Sequence, residues 1–441
     1  VSRRYLLVGS GVAALSAAEA IRGADPAGRI TVVSTEADPF YSRPGLAYLL
    51  TGEVGESSLA IRSPRELAAL GLERVVGEAT GLQPDRHELL VSGGRRIEYD
   101  ALLLATGAES IKAEFPGASL DGVLQVDGLA EARGLVARAQ RASAAVVVGG
   151  GSTALELVEG LHAQGVATHY LMRGERYWSK VLDPVESAIV EARLLADGVT
   201  LHRRAAVREA IGDGGRLVAV RLEDGRTLPV DILAVAIGVR PRLSLATSAG
   251  LVTDRGILTS PFLETSAPDV FAAGDCAQVH DPVTRTAALD TLWASAAQQG
   301  RIAGLNMAGV RVPHRKRAPI NVTRLGGVTA TIIGAVGAGN DPDLLTLTRG
   351  QSERWVVGED AWQVRGARRG DRLRVVVSGR TIVGAVVMGD QSVSHALAHL
   401  IGEEVDISGL RPALEAEPDQ ALDLLLAFCT AHVGDHAAAH R

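Results

Sequence analysis

The chain has 441 residues, 46% hydrophobic and 22% charged, a balance ordinary for a soluble globular protein and long enough for about three domains. Its two cysteines, Cys276 and Cys429, stand in no CxxC arrangement, which argues against a disulfide framework, a cysteine-ligated zinc or an iron–sulfur cluster. A net charge of −6 and the lack of any apolar run of about 18 residues argue against a nucleic-acid-binding protein and a membrane span.

In chain order, residues 5–8 read as a buried strand and 12–22 as an alanine-rich helix, joined by the turn Gly9-Ser10-Gly11. The leading Ser2-Arg3-Arg4 followed by apolar residues also has the look of a twin-arginine export signal. The strand reading is preferred because the segment completes a fold motif, and a cytoplasmic protein is the expectation. A second strand is expected at 30–34, a loop and helix at 38–59, and a buried strand at 101–105 running into Thr106-Gly107. The device then repeats: a strand at 145–148, the turn Gly149-Gly150-Gly151, and a helix through Ala154 and Glu156, followed by strands at 168–172 and 232–237 that close near Gly238. In each turn the first glycine permits the bend and the second lets backbone N–H groups approach a pyrophosphate. The small Ala14 or Ala154 lets the helix lie close on its strand. Two such turns in register imply two dinucleotides.

The fold class expected is therefore α/β, with two dinucleotide-binding, Rossmann-like, three-layer domains and a C-terminal α+β domain. The division expected is 1–114 with 246–313 for the first dinucleotide, 115–245 for the second, and 314–441 for the rest. Strands at 328–333 and 373–377 belong to this last part. His395 and His399, at i and i+4, read as a helix face rather than a metal site, and no metal is expected.

The succession GSGVAA, YSRPGLAYLLTGE, LLLATGA, GGGSTALE and TSAPDVFAAGDCA resembles the FAD-dependent pyridine nucleotide-disulfide oxidoreductases. The likeness is to the branch with nitrite-reductase flavoprotein domains and rubredoxin and ferredoxin reductases. It covers residues 1 to about 312; beyond that it is looser and rests on phrases such as GAVVMGD at 384–390. It implies FAD in the first domain, NAD(P)H in the second and hydride exchange at flavin N5. Gly9, Gly11 and Ala14 would hold the FAD pyrophosphate, with Arg43 and Pro44 beside it, Glu36 in place of an absent ribose acid at Ser34, and Ala79 nearby. Thr106 and Gly107 would close over the cofactor, Gly274 and Asp275 would meet its ribityl chain, and Trp293 would lie near the flavin. Gly149, Gly151, Ala154 and Gly238 would hold NAD(P), with Glu156 near the nicotinamide. Met172 stands where an NAD-selective acid would lie, so Arg173 and Arg176 point towards NADPH. The position of the family's redox cysteine falls on Pro44, and a lysine found in some ferredoxin reductases falls on Tyr48.

Residues 301–380 hold fourteen Lys/Arg against six Asp/Glu, a basic stretch in an acidic chain. It would suit an acidic carrier such as a ferredoxin, a rubredoxin or a catalytic subunit. An oxidase or quinone reductase with a small-molecule acceptor, a non-catalytic flavin-containing interaction or redox-sensing protein, and a homo-oligomer are left open.

Overall fold

A computed structural model describes residues 2–281, 286–337, 362–368 and 371–439. The strands Arg4–Val8, Arg29–Ser34, Leu72–Val76, Ala101–Leu104 and Val270–Ala272 form one parallel sheet, with Arg4–Val8 between Arg29–Ser34 and Ala101–Leu104. Every residue of Ala101–Leu104 is fully buried, which is why that strand reads as an unbroken apolar run. A second parallel sheet has Ala144–Val148 between Ala167–Met172 and Ile232–Val235, with Thr200–Arg203 and Val123–Leu124 at its edges.

In both sheets the helix after the central strand begins at a glycine turn: Val12–Ala24 in the first, Ser152–Ala163 in the second. The first helix runs past 22 through Gly23 to Ala24 and ends before Pro26. The strand expected at 232–237 stops at Val235, where the chain turns to pass Gly149. Helix Val12–Ala24 also lies against Trp293–Met307 at backbone distance, because Gly300 faces the Ala13 carbonyl and leaves no room for a Cβ. The chain passes between the two sheets twice, and the two crossings pair as an antiparallel ribbon, Ala108–Ser110 against Val239–Pro241.

The C-terminal part is an antiparallel sheet in the order Ile320–Leu325, Val328–Gly334, Thr381–Met388, Asp371–Ser378, Trp362–Arg368. Alternation along Asp371–Ser378 sends Leu373, Val375 and Val377 into a core with Leu397, Leu400 and Leu425 of the terminal helices. The opposite face takes Arg372 and Arg374, which lie on the second unit. Arg374 is 2% exposed and donates to Glu186 at 2.8 and 2.9 Å and to the carbonyls of Val181 and Val336 at 2.7 Å. Arg372 donates to Asp183 at 2.7 Å. These two arginines therefore leave the basic surface stretch expected from the sequence: a sheet covered on both faces turns part of a charge run inward. Arg365 and Arg368 have side chains outside the described residues, and Arg369 lies outside them altogether. Lys316 is buried, Arg311 is paired with Glu264, and Arg315 and Arg317 are exposed.

Among the described residues no helix is long and apolar enough to cross a membrane, and no cluster of three or more metal-ligating side chains is present.

Candidate functional site

The helices that follow the two glycine turns differ from those that begin with a side-chain cap. Ser63 and Asp183 close capping boxes on Pro64–Ala69 and Pro184–Ala196, each satisfying the backbone N–H of the third helical residue. At Gly11 and Gly151 no side chain caps the helix, and neither first turn carries an acid. The orphan amides and positive ends of the helix dipoles are thus kept for something negative and external. The preceding glycines make the approach possible. Gly9 has φ +118° and a Cβ there would stand 2.1 Å from the Ala105 carbonyl oxygen; Gly149 has φ +154° and would meet Ala236 at 2.3 Å. Behind the turns, Ala14 and Ala154 are fully buried.

The first helix start opens on a cavity of about 1010 Å³. Gly9, Gly11, Glu36, Arg43, Pro44, Ala79, Thr106, Gly107, Gly274, Asp275 and Trp293 all line it, so the positions the resemblance assigned to FAD converge on one space. Ser152, Thr153 and Glu156 of the second glycine-turn helix line it as well. The remaining expected NAD(P) positions, Gly149, Gly151, Ala154, Arg173, Arg176 and Gly238, lie outside its lining.

Glu36 and Arg43 form an ion pair at 2.7 Å rather than standing apart, and Arg43 also donates to the Asp127 carbonyl. The second carboxylate oxygen of Glu36 is buried without a partner. An orphaned acceptor in a cavity wall fits a ribose hydroxyl, which would donate to it. Ser34, at the strand end, shares a 2.8 Å hydrogen bond with Ser10 and accepts from the Glu36 amide at 3.1 Å, so it shapes the loop that carries Glu36. Asp275 follows Gly274, whose amide donates to Gln299 at 2.8 Å. The Thr106 hydroxyl donates to the Arg242 carbonyl at 3.0 Å, tying the cavity wall to the interdomain ribbon. Thr291, Leu292, Trp293 and Ala294 bring the start of another helix without a side-chain cap, Trp293–Met307, to the same space. Cys276 is fully buried, its thiol pushed up by desolvation, which keeps it out of redox exchange.

In the second unit, Met172 is buried at the end of its strand and Arg173 is exposed just beyond it. Arg176 turns back to donate to the carbonyls of Ser179 and Leu182 at 3.2 and 3.4 Å. Of the expected pair, Arg173 is the one turned outward.

The charged lining residues not singled out from the sequence include Glu159, Arg242, Asp127 and Arg324. Glu159 was legible as i+3 from Glu156 on the same helix face. Arg324 was not, because it comes from the C-terminal sheet, whose strand Ile320–Leu325 forms part of the wall.

Two nucleotide-binding units around one cavity, each with an anion-ready helix start, define a two-dinucleotide oxidoreductase of the flavoprotein type. Residues 3–300 match the family model of the pyridine nucleotide-disulphide oxidoreductases, and the chain belongs to that family. It is 25% identical over 409 residues to a nitrite reductase [NAD(P)H] of Bacillus subtilis, covering 92% of this chain and 48% of that one. The chain thus spans about half the length of that relative. It is 32% identical over 312 residues to the epsilon subunit of an NADH-dependent phenylglyoxylate dehydrogenase of Aromatoleum evansii, covering 69% of this chain and 72% of the relative. Among solved structures, a ferredoxin reductase for the CYP199A2 system of Rhodopseudomonas palustris superposes with a TM-score of 0.83 at 25% identity, covering 96% and 98% of the two chains. The family binds FAD and NAD(P)H, as the helix starts and the orphaned Glu36 oxygen would require.

Proposed function

We propose that the protein exchanges hydride between NAD(P)H and FAD and passes the electrons to, or takes them from, a redox carrier or a partner subunit. The observation that carries this reading is the single cavity shared by the first helix start and by Ser152, Thr153 and Glu156 of the second. When bound, FAD supplies the hydride-accepting chemistry; the chain binds and orients. The Gly11 helix start would meet the pyrophosphate, Arg43 would add charge beside it, and Glu36 would take the adenosine ribose. The Trp293 helix start would favour negative charge on the reduced ring, and Asp275 would hold the ribityl chain. Glu156 would border the nicotinamide. Arg173, without a competing acid at Met172, would favour the 2′-phosphate of NADPH. The ferredoxin reductase and the epsilon subunit among the relatives support a protein acceptor.

The test is absorbance. Purified protein, as isolated or after addition of FAD, should absorb between about 350 and 500 nm and bleach on anaerobic mixing with NADPH or NADH. A colourless protein that also refuses added FAD refutes the reading. Rapid oxygen consumption with NAD(P)H alone would replace the carrier by a small-molecule acceptor.

A further inference from the structure

Glu156 has a place in the reading above, but Glu159, Tyr48 and Arg324 line the same cavity without one. Glu159 lies one turn beyond Glu156 on the Ser152–Ala163 helix and accepts from the Gly327 amide at 3.2 Å. That amide belongs to the turn between Ile320–Leu325 and Val328–Gly334. Arg324, on the first of these strands, lies over the Tyr48 ring at 5.7 Å and holds Glu53 with both terminal nitrogens, one of them at 2.7 Å. Its Nε is buried with no partner. The Glu53 side chain is 40% exposed. Glu156 and Glu159 thus line the cavity three residues apart on one helix, and Glu159 feels the charge of Glu53, which Arg324 holds at the surface.

Resting on the proposed oxidoreductase activity, the chemistry of the carrier gives these carboxylates a task. A hydride brings two electrons and one proton. A one-electron carrier such as a ferredoxin removes the electrons and leaves the proton behind. We propose that Glu159 takes this proton from the reaction chamber and hands it to water beside Glu53, and that Arg324 of the C-terminal sheet sets how firmly it is held. An O–H bond forms on the Glu159 carboxylate as the proton leaves the reduced cofactor, and that bond breaks when water accepts the proton; no electron travels with it.

Burial pushes the Glu159 carboxyl up to about 7, opposed by the Gly326 and Gly327 amides and by Arg324, and helped by Glu53. A carboxyl so placed exchanges protons in both directions near neutrality. Tyr177, from the segment before Pro184–Ala196, lies close enough to feel the charges of both Glu159 and Glu156. Glu159 thus couples a cavity in the nucleotide-binding units to a hairpin of a third unit.

The experiment has two arms. In the first, FAD-loaded protein is reduced anaerobically with NAD(P)H and reoxidised by ferricyanide in weak buffer containing a pH indicator. In E159Q, cofactor reoxidation and the proton appearance tied to it should both slow by about tenfold or more, with E159D restoring part of the rate. In the second, infrared titration of the cofactor-free protein should show a carboxyl band with a midpoint of about 7, absent in E159Q and moved upward in R324Q. Reoxidation and proton release as fast in E159Q as in the parent, or a band that survives the substitution, overturns the proposal. Failure of the parent to bleach with NAD(P)H would instead refute the oxidoreductase reading, and the infrared arm would still decide whether Glu159 exchanges a proton near neutrality.

Discussion

Arg173 extends into solvent just past the end of Ala167–Met172, the edge at which dinucleotide-binding folds read the adenosine ribose. Replacing it by Ala should raise KM for NADPH by the equivalent of about 1.5–3 kcal/mol, the loss of one charge-assisted bond, and leave NADH nearly unchanged. Steady-state kinetics with both cofactors decide it, and equal responses would reduce Arg173 to a surface charge. His314 is a different case. It is buried, and desolvation, with the nearby Lys316 charge adding to it, brings its imidazole down to about 4. A histidine held below its unfolded value of about 6.5 withholds a proton that the unfolded chain binds, so stability falls as pH drops from about 6.5 to 4, by up to about 3 kcal/mol. Asp290, pushed up to about 6 by burial against the opposing pull of Lys316 and Ser295, has the opposite sign and gains stability over much of that range. The parent's own pH profile therefore blends the two. The difference between parent and His314→Gln isolates the first: denaturant midpoints at pH 7 and 4.5 should show the variant gaining on the parent as pH falls.

Among the elements, the glycine turns were the most legible, because a strand, a φ that favours glycine and an uncapped helix start all leave marks in a short stretch of sequence. The first-domain positions Gly9, Gly11, Thr106, Gly274 and Asp275, read from the sequence as contacts of one cofactor, line one cavity. What the local pattern hid was how elements distant in sequence meet. Nothing around Arg324 says that its strand will stand against the Ser152–Ala163 helix, and nothing near Gly300 says that it will touch Ala13. The Ala13 carbonyl lies 2.0 Å from where a Cβ on Gly300 would be built. Gly300→Ala should thus push apart the two helices whose starts face the cavity, costing about 1–3 kcal/mol and weakening FAD retention together. Thermal melting and the absorbance remaining after gel filtration would report both. A variant with lower stability but full cofactor content would show that the helix starts are held independently of this contact.

On the scale of the molecule, the C-terminal sheet is fastened to the second nucleotide-binding unit by charge buried between them. Glu186 is fully buried and meets Arg374, which is 2% exposed, with Arg372 at 3.8 Å, so removing only Arg374 leaves a buried carboxylate with its more distant cation alone. Arg374→Met should cost about 3–5 kcal/mol, and adding Glu186→Gln should recover part of it, since the cost comes from the poorly compensated buried charge. Denaturant unfolding of the single and double variants measures this; equal losses in both would place the contribution in packing alone. A charge run read from composition gave no hint of this inward turn, because only the alternation along Asp371–Ser378, seen between two covering layers, sends Arg372 and Arg374 inside. The paired crossings have a consequence of another kind. Ala108–Ser110 and Val239–Pro241 lie side by side, so the whole second unit enters and leaves its host at one spot. A module spliced in at adjacent ends can be exchanged as a cassette: a relative's nicotinamide-binding unit, cut at the same ribbon, would bring its own coenzyme preference and leave the parallel sheet around Gly9 untouched.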